Sequence, residues 1–165
     1  MPSKMIVLGV DPGLRSTGYG VIEIVFEPNY QVKLLETGTI NPKQKDSLEN
    51  RINKVYQHLS DIVKQYTPQI MVLEKLYAHY RHPLTACLLG HVRGVICLVC
   101  AHHGIGLEEH SVKRIRKSLT GNGNATKEQT QMTVERILKI PEGKLSLDAS
   151  DALALALGYG YMNRF

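Results

Sequence analysis

The first quarter of the chain consists of apolar runs separated by short polar interruptions, which is the pattern of a small β-sheet. The run "MIVLGV" at 5–10 is continuously apolar, as is typical of a strand buried on both faces. Two further runs, "YGVIEIVF" and "VKLLETGTI", are separated by the turn residues "EPNY". This order predicts three strands in an antiparallel meander.

In the middle of the chain the apolar positions change to helical spacing. Seven apolar or aromatic residues recur every three or four positions and predict one long helix, which Pro68 ends: Ile52, Val55, Tyr56, Leu59, Ile62, Val63 and Tyr66. The apolar run "QIMVLE" predicts a fourth strand that ends in Glu74, and "GIGLEEH" predicts a fifth. Between them lies a helix from about Leu84 to His103, apolar nearly all round, which is expected in the core or against a partner.

The last third predicts three further helices. "SVKRIRKSL" is a short basic helix, and after the loop "TGNGNAT" a longer helix is capped by Thr126 and broken by Pro141. The stretch "SLDASDALALALGYG" predicts a final apolar helix with Asp148 and Asp151 at its start. Three strands followed by alternating helices and strands predict a mixed α/β fold. No long linker interrupts the pattern, so we expect a single domain over residues 1–165.

Composition narrows the class of protein. Three cysteines without a framework spacing argue against a secreted disulfide scaffold, and we expect a protein of the reducing cytoplasm. His91 and Arg93 interrupt the longest apolar segment, so a membrane span is not expected. The segment "CLVCAHH" has no second cysteine pair to complete a zinc site, and its thiols are expected to be buried. The formal net charge of +5 permits a polyanionic partner.

Four carboxylates are candidates for one cluster. Asp11 directly follows the first strand and Glu74 ends the fourth, and ligands of open α/β sheets collect at the carboxyl ends of strands. If these strands are parallel neighbours, a docked final helix would bring Asp148 and Asp151 to the same place. Two like charges 4 Å apart repel by about 4 kcal/mol at an effective dielectric of 20, so the cluster would need protons or hard divalent cations.

Each acid also has an ordinary explanation. Asp148 could cap the final helix while Asp151 bonds back to it, and acids suit the positive end of the helix dipole. Asp11, before Pro12-Gly13, could start a turn, and Glu74 could form a rim salt bridge worth about 0–1 kcal/mol. Their joint placement on separate segments is what favours a metal site.

Four sequence blocks carry a resemblance to a known family. The chain resembles the RuvC family of Holliday-junction resolvases over nearly its whole length, in the blocks "VLGVDPGLRSTGYGVIE", "LEKLY" followed by "LLGHVRGV", "LTGNGNATKEQTQMTV" and "LDASDALALAL". The first and last blocks are shared in part with other ribonuclease H-like proteins. The third, with its Gly-x-Gly-x-Ala-x-Lys-x-Gln order, is far more specific.

The resemblance implies a ribonuclease H-like fold, with a mixed five-stranded sheet flanked by helices on both faces. It implies a homodimer that binds a four-way DNA junction and nicks two opposing strands symmetrically, in recombination and repair, with a branch-migration motor as a helper. The nicks would leave 5′-phosphate and 3′-hydroxyl ends. The metal would be Mg²⁺, with Mn²⁺ also active and two ions in each subunit. The family's metal-binding acids map onto Asp11, Glu74, Asp148 and Asp151.

The resemblance also implies DNA contacts. The family's base-contacting aromatic falls on Tyr77, in a loop that departs from the usual polar run, and the lysine of the third block falls on Lys127. Arg116 stands where the family commonly has a lysine; it keeps the charge but always holds its proton. With Lys113, Arg114 and Lys117 it forms a basic run that would contact phosphates, although such a run is often only a solvated face. The ordinary alternative for Tyr77 and Tyr80 is burial in the core.

Two other classes of protein remain open from the residues alone. "DPGLRSTGYG" also fits the phosphate loop of an actin-like or sugar-kinase-like ATPase, although such proteins need a second domain that this chain is too short to hold. A non-catalytic junction-binding protein would explain the basic face and tyrosines but not four convergent acids.

Overall fold

The computed structural model describes residues 4–76 and 83–164. They form five strands and five helices. The strands are β1 Lys4–Asp11, β2 Thr17–Val25, β3 Gln31–Ile40, β4 Ile70–Glu74 and β5 Gly106–His110. The helices are α1 Leu48–Tyr66, α2 Pro83–His103, α3 Val112–Thr120, α4 Lys127–Leu138 and α5 Leu147–Met162.

The five strands form one mixed sheet in the order β3-β2-β1-β4-β5. The first three strands are antiparallel neighbours, which confirms the predicted meander. β4 pairs in parallel with both β1 and β5. Val10 of β1 lies opposite Leu73 of β4, so the next residues, Asp11 and Glu74, end adjacent parallel strands at the same edge.

Helices cover both faces of the sheet, as predicted. On one face α1 and α2 pack over alternate strand residues such as Leu8, Val10 and Met71. On the other face α5 packs over the intervening residues, including Val7 and Val72, with α3 and α4 beside it. The apolar α5 is therefore the central helix of the layer that covers the carboxyl edge.

Two glycines allow α5 to approach the sheet closely. A Cβ added to Gly9 would lie 1.9 Å from the carbonyl oxygen of Ala152, and one added to Gly18 would lie 2.0 Å from that of Asp148. Real Cβ atoms do not approach this closely. The backbone of the first turn of α5 therefore rests directly on β2, which fixes the helix end that carries Asp148 and Asp151.

The helix α2 is more exposed than its apolar sequence suggested. Burial in the core is wrong for most of α2, which buries only Val92, Ile96, Val99 and Cys100. The prediction of buried thiols in "CLVCAHH" is wrong for Cys97, which is exposed, and confirmed for Cys100, which is buried. The physical reason is that α2 packs one side against α1 and leaves the opposite side uncovered.

The length of α2 bears on the predicted absence of a membrane span. Within the described ranges, α2 is the one helix long and apolar enough to cross a bilayer, judged by length and composition alone. One side of it packs against α1 within the fold, and His91 and Arg93 interrupt its apolar surface.

Candidate active site

Three of the four predicted acids line one small pocket at the carboxyl edge of the sheet. Asp11 and Glu74 come from the adjacent ends of β1 and β4, and Asp151 comes from the first turns of α5. The same pocket is lined by Arg116 of α3 and Lys127 of α4. Residues from five separate elements thus meet where sequence reasoning expected a site.

Burial and mutual repulsion raise the pKa values of Asp11 and Glu74. The pKa of Asp11 rises from its ordinary value of 3.8 to about 7, first because the carboxyl is largely buried and then because Asp151, Glu74 and Asp148 are close by. The pKa of Glu74 also rises, through burial and then through Asp151, whereas Lys127, Arg116 and Arg93 oppose that rise. The cluster therefore carries excess negative charge whenever all of its members are ionised.

Asp148 lies beside this pocket rather than inside it. Its charge contributes to the raised pKa of Asp11, but it borders the neighbouring groove with Gly13 and Ser16. The four acids are thus neighbours along one edge. Both acids of α5 are close enough to Asp11 to raise its pKa.

Capping by Asp148 is wrong as an explanation of the acids on α5. The cap is Ser146, whose hydroxyl accepts the backbone N–H of Ala149. Asp151 does not bond back to the cap; its Oδ2 lies 2.8 Å from the Nζ of Lys127. The helix start therefore has its own cap, and neither acid is needed for it.

The third sequence block has a structural explanation for much of its pattern. Thr126 and Gln129 form a capping box at the start of α4, each side chain accepting the backbone N–H of the other. The box begins α4 at Lys127, whose ammonium extends to Asp151. Its bond to that carboxylate is the main cause that raises the pKa of Lys127. The block thus places one positively charged side chain, Lys127, at the acidic pocket.

The chemistry of the pocket fits a hard divalent cation. Its acidic side chains offer carboxylate oxygens, the ligands that Mg²⁺ prefers. The ammonium group of Lys127 already offsets part of the repulsion between these carboxylates. Among the described residues, no three carboxylate, imidazole or thiol groups are arranged to hold one ion together.

The predicted DNA-contacting residues are only partly brought to the site. Arg116 lines the acidic pocket, and Lys113, Arg114 and Lys117 are exposed on α3 around the buried Ile115. Tyr77 lies outside the described residues, as do Tyr80, His79 and His82.

Arg93 is a residue beside the acidic site that sequence reasoning missed. It was considered only as an interruption of an apolar helix. Its Nη1 donates to the backbone oxygen of Glu74 at 2.8 Å, and its other terminal nitrogen pairs with Glu109 of β5. It thereby joins α2 to the end of the strand that carries Glu74. An arginine at a helix position surrounded by apolar residues is a signal that could have directed attention to it.

The mixed five-stranded sheet with helices on both faces is a ribonuclease H-like fold. A family model described as "Crossover junction endodeoxyribonuclease RuvC" matches residues 7–159. A protein of that name from Rhodopirellula baltica is 38% identical over 160 residues, which span 97% of this chain and 88% of the relative. The chain belongs to the RuvC family of crossover junction endodeoxyribonucleases.

Solved structures agree with this fold. The Thermus thermophilus RuvC structure superposes with a TM-score of 0.87 at 23% identity, over 97% of this chain and 96% of the other. The same protein in complex with Holliday junction substrate superposes with a TM-score of 0.86 at 20% identity, over the same shares. The predicted fold and enzyme class are confirmed, and the family favours the endonuclease over the ATPase and the non-catalytic binder.

Proposed function

We propose that this protein is a single-domain, divalent-metal-dependent endonuclease of the cytoplasm that resolves four-way DNA junctions by paired nicks. The observation that supports this most directly is the convergence of Asp11, Glu74 and Asp151 on one pocket, with Asp148 close enough to act on Asp11. Such a cluster is costly in a protein unless a cation offsets its charge. Two Mg²⁺ ions per subunit, with Mn²⁺ as a substitute, are the proposed cofactors.

In this proposal Asp11, Glu74, Asp148 and Asp151 hold the metal. The bound metal would supply a nucleophile at neutral pH and offset charge on the departing oxygen of the phosphodiester, leaving 5′-phosphate and 3′-hydroxyl ends. Lys127, already 2.8 Å from Asp151, would orient that carboxylate and limit the repulsion before metal binds. This chain therefore supplies the ligands and their spacing.

The basic helix α3 would position the DNA backbone beside the acids. Arg116 faces the acidic pocket, so a phosphate bound to it would lie next to the metal ligands. Lys113, Arg114 and Lys117 are exposed on the same helix and would contact neighbouring phosphates without reading the base sequence. We assign Tyr77 the stacking contact at the junction centre that the family resemblance implies.

A homodimer would supply the two sites that paired nicks need, and α2 is the surface we assign to it. Its exposed side carries Leu84, which is 73% exposed, and Leu98, which is 45% exposed. Gly90 and Gly94 lie one turn apart on α2, both exposed and with open space beyond the Cα. Small residues at this spacing would let a second helix approach closely. We also propose that a branch-migration motor assists the dimer.

The test is a junction assay with matched substrates. A labelled four-way junction and a linear duplex of the same sequence are incubated with Mg²⁺, Mn²⁺, Ca²⁺ or a chelator. We expect symmetric nicks in the junction alone, with Mg²⁺ or Mn²⁺ alone. Religation of the products by DNA ligase tests for the 5′-phosphate and 3′-hydroxyl ends.

The variant Asp11→Asn separates binding from cutting. Asparagine keeps the shape of the side chain but removes the charge, so cleavage should be lost while junction binding remains near that of the wild type. Cleavage by Asp11→Asn, or equal cleavage of the linear duplex, would contradict the proposal.

A further inference from the structure

Side chains at every fourth position of α4 contact α5 or the segment just before it. Lys127 reaches Asp151, as described above. Four positions on, the side-chain amide of Gln131 donates to the backbone oxygen of Leu145 at 3.0 Å. Four positions further, the carboxylate of Glu135 accepts backbone N–H groups of the same segment. Residues at this spacing share one side of a helix, so α4 presents a polar stripe towards α5.

Glu135 is an acid in an unusual place. It is only 2% exposed, and within the described ranges it forms no salt bridge. Both of its oxygens lie 3.1 Å from the backbone nitrogen of Gly143, and one lies 3.3 Å from that of Leu145. A buried carboxylate is costly unless it is hydrogen-bonded, and bonds from N–H donors to a charged oxygen are stronger than neutral ones.

The segment that Glu135 holds leads directly into α5. Gly143 has φ of +74°, a left-handed conformation that glycine adopts without strain, and Ser146 caps the helix three residues later. Asp148 follows in the first turn. The place where this segment is fixed on α4 therefore sets where the first turn of α5 begins.

We infer that Glu135 and Gln131 are positioning residues for the metal site. They fix the segment 143–145 on α4, so that α5 begins where Asp148 and Asp151 face Asp11. This inference rests on the proposed function, because it assumes that these acids bind divalent cations. Neither residue lines the acidic pocket; both act through the backbone that precedes α5.

The experiment compares Glu135→Ala, Glu135→Gln and Gln131→Ala with the wild-type protein. The matched control is Glu142→Gln, which neutralises an exposed acid in the adjacent loop. Two quantities are measured: the rise in Tm caused by Mg²⁺, and the Mg²⁺ concentration that gives half-maximal junction cleavage. Circular dichroism at the assay temperature confirms that each variant is folded.

We expect Glu135→Ala to raise the Mg²⁺ concentration for half-maximal cleavage by about tenfold, the size of effect seen when supporting contacts of metal ligands are removed. The same variant should show a smaller Mg²⁺-induced rise in Tm than the wild type. Glu135→Gln keeps one acceptor oxygen and should lie between Glu135→Ala and the wild type. Gln131→Ala removes a single bond and should shift both quantities in the same direction by less, so it provides the test if Glu135→Ala does not fold.

Two outcomes would overturn the inference, for different reasons. If folded variants have a lower Tm but the wild-type dependence on Mg²⁺, Glu135 and Gln131 only stabilise the fold. If the wild-type protein itself shows no response to Mg²⁺ in Tm or cleavage, the proposed metal site fails, and the inference fails with it.

Discussion

The raised pKa of Asp11 predicts how removing this one charge changes the stability of the metal-free protein. Asp11→Asn replaces the carboxyl with a neutral amide of the same shape. The pKa of Asp11 rises from 3.8 to about 7 on folding, and one pKa unit corresponds to about 1.4 kcal/mol. Ionised Asp11 therefore costs the folded, metal-free protein about 4 kcal/mol at high pH.

The direction of the pH effect follows from which state holds the proton. Below pH 3.8 Asp11 is protonated in both states, and its contribution to stability is fully present. Between pH 3.8 and about 7 the folded state keeps the proton and the unfolded state does not, so stability falls as pH rises. Above pH 7 the loss is complete. Asp11→Asn should therefore be more stable than the wild type at pH 8 and should lack this part of the pH dependence.

The assay is urea unfolding in the presence of a chelator at half-unit steps from pH 4 to pH 8.5. Asp61→Asn on α1 is the control, because Asp61 is exposed and a surface substitution of this kind changes stability by about 0.5 kcal/mol or less. With Mg²⁺ added, the difference in stability should narrow, since the wild type gains stability from the ion and Asp11→Asn loses a ligand; full compensation needs a Mg²⁺ concentration of about 1,000 times Kd. Equal pH dependence of wild type and Asp11→Asn in chelator would refute the electrostatic reasoning about this site.

Three further substitutions test other parts of the structure. Gly18→Ala places a Cβ 2.0 Å from the backbone oxygen of Asp148, so it should destabilise the protein by about 1–3 kcal/mol and weaken the rise in Tm caused by Mg²⁺. A wild-type stability together with a wild-type response to Mg²⁺ would contradict the close packing of α5 on β2. Arg116→Gln should reduce the slope of log binding constant against log salt by about one unit, and an unchanged slope would exclude its phosphate contact. Leu98→Glu should convert the proposed dimer to monomers in sedimentation experiments, and a dimer that survives it would place the interface elsewhere.

The sequence predicted the elements well because each one shows its own burial pattern locally. The continuous apolar run of β1 and the helical spacing within α1 depend on neighbours a few positions away. Asp11 and Glu74 were identifiable for the same reason, since each stands where an apolar run stops. The acidic edge was therefore visible as a set of candidates.

Some site residues carried no local signal. Glu135 is preceded by Val134 and followed by Arg136 in an ordinary amphipathic pattern, and an acid there is usually a solvated residue. Its burial depends on the segment 143–145 folding back over it, which no periodicity in α4 records. The same holds for α2, whose apolar sequence is equally suited to a core and to an uncovered surface.

What the sequence determined by itself is the nature of each element and the chemistry available at its ends: strands that stop at carboxylates, a cap at Thr126 before Lys127 and a helix that starts with two acids. Only the tertiary structure decided which of these ends meet. The pairing of β1 with β4 and the seating of α5 on Gly9 and Gly18 join residues more than sixty positions apart. The physical reason is that local pattern reports which face of an element is buried, whereas the partner that buries it is chosen by packing of the whole chain.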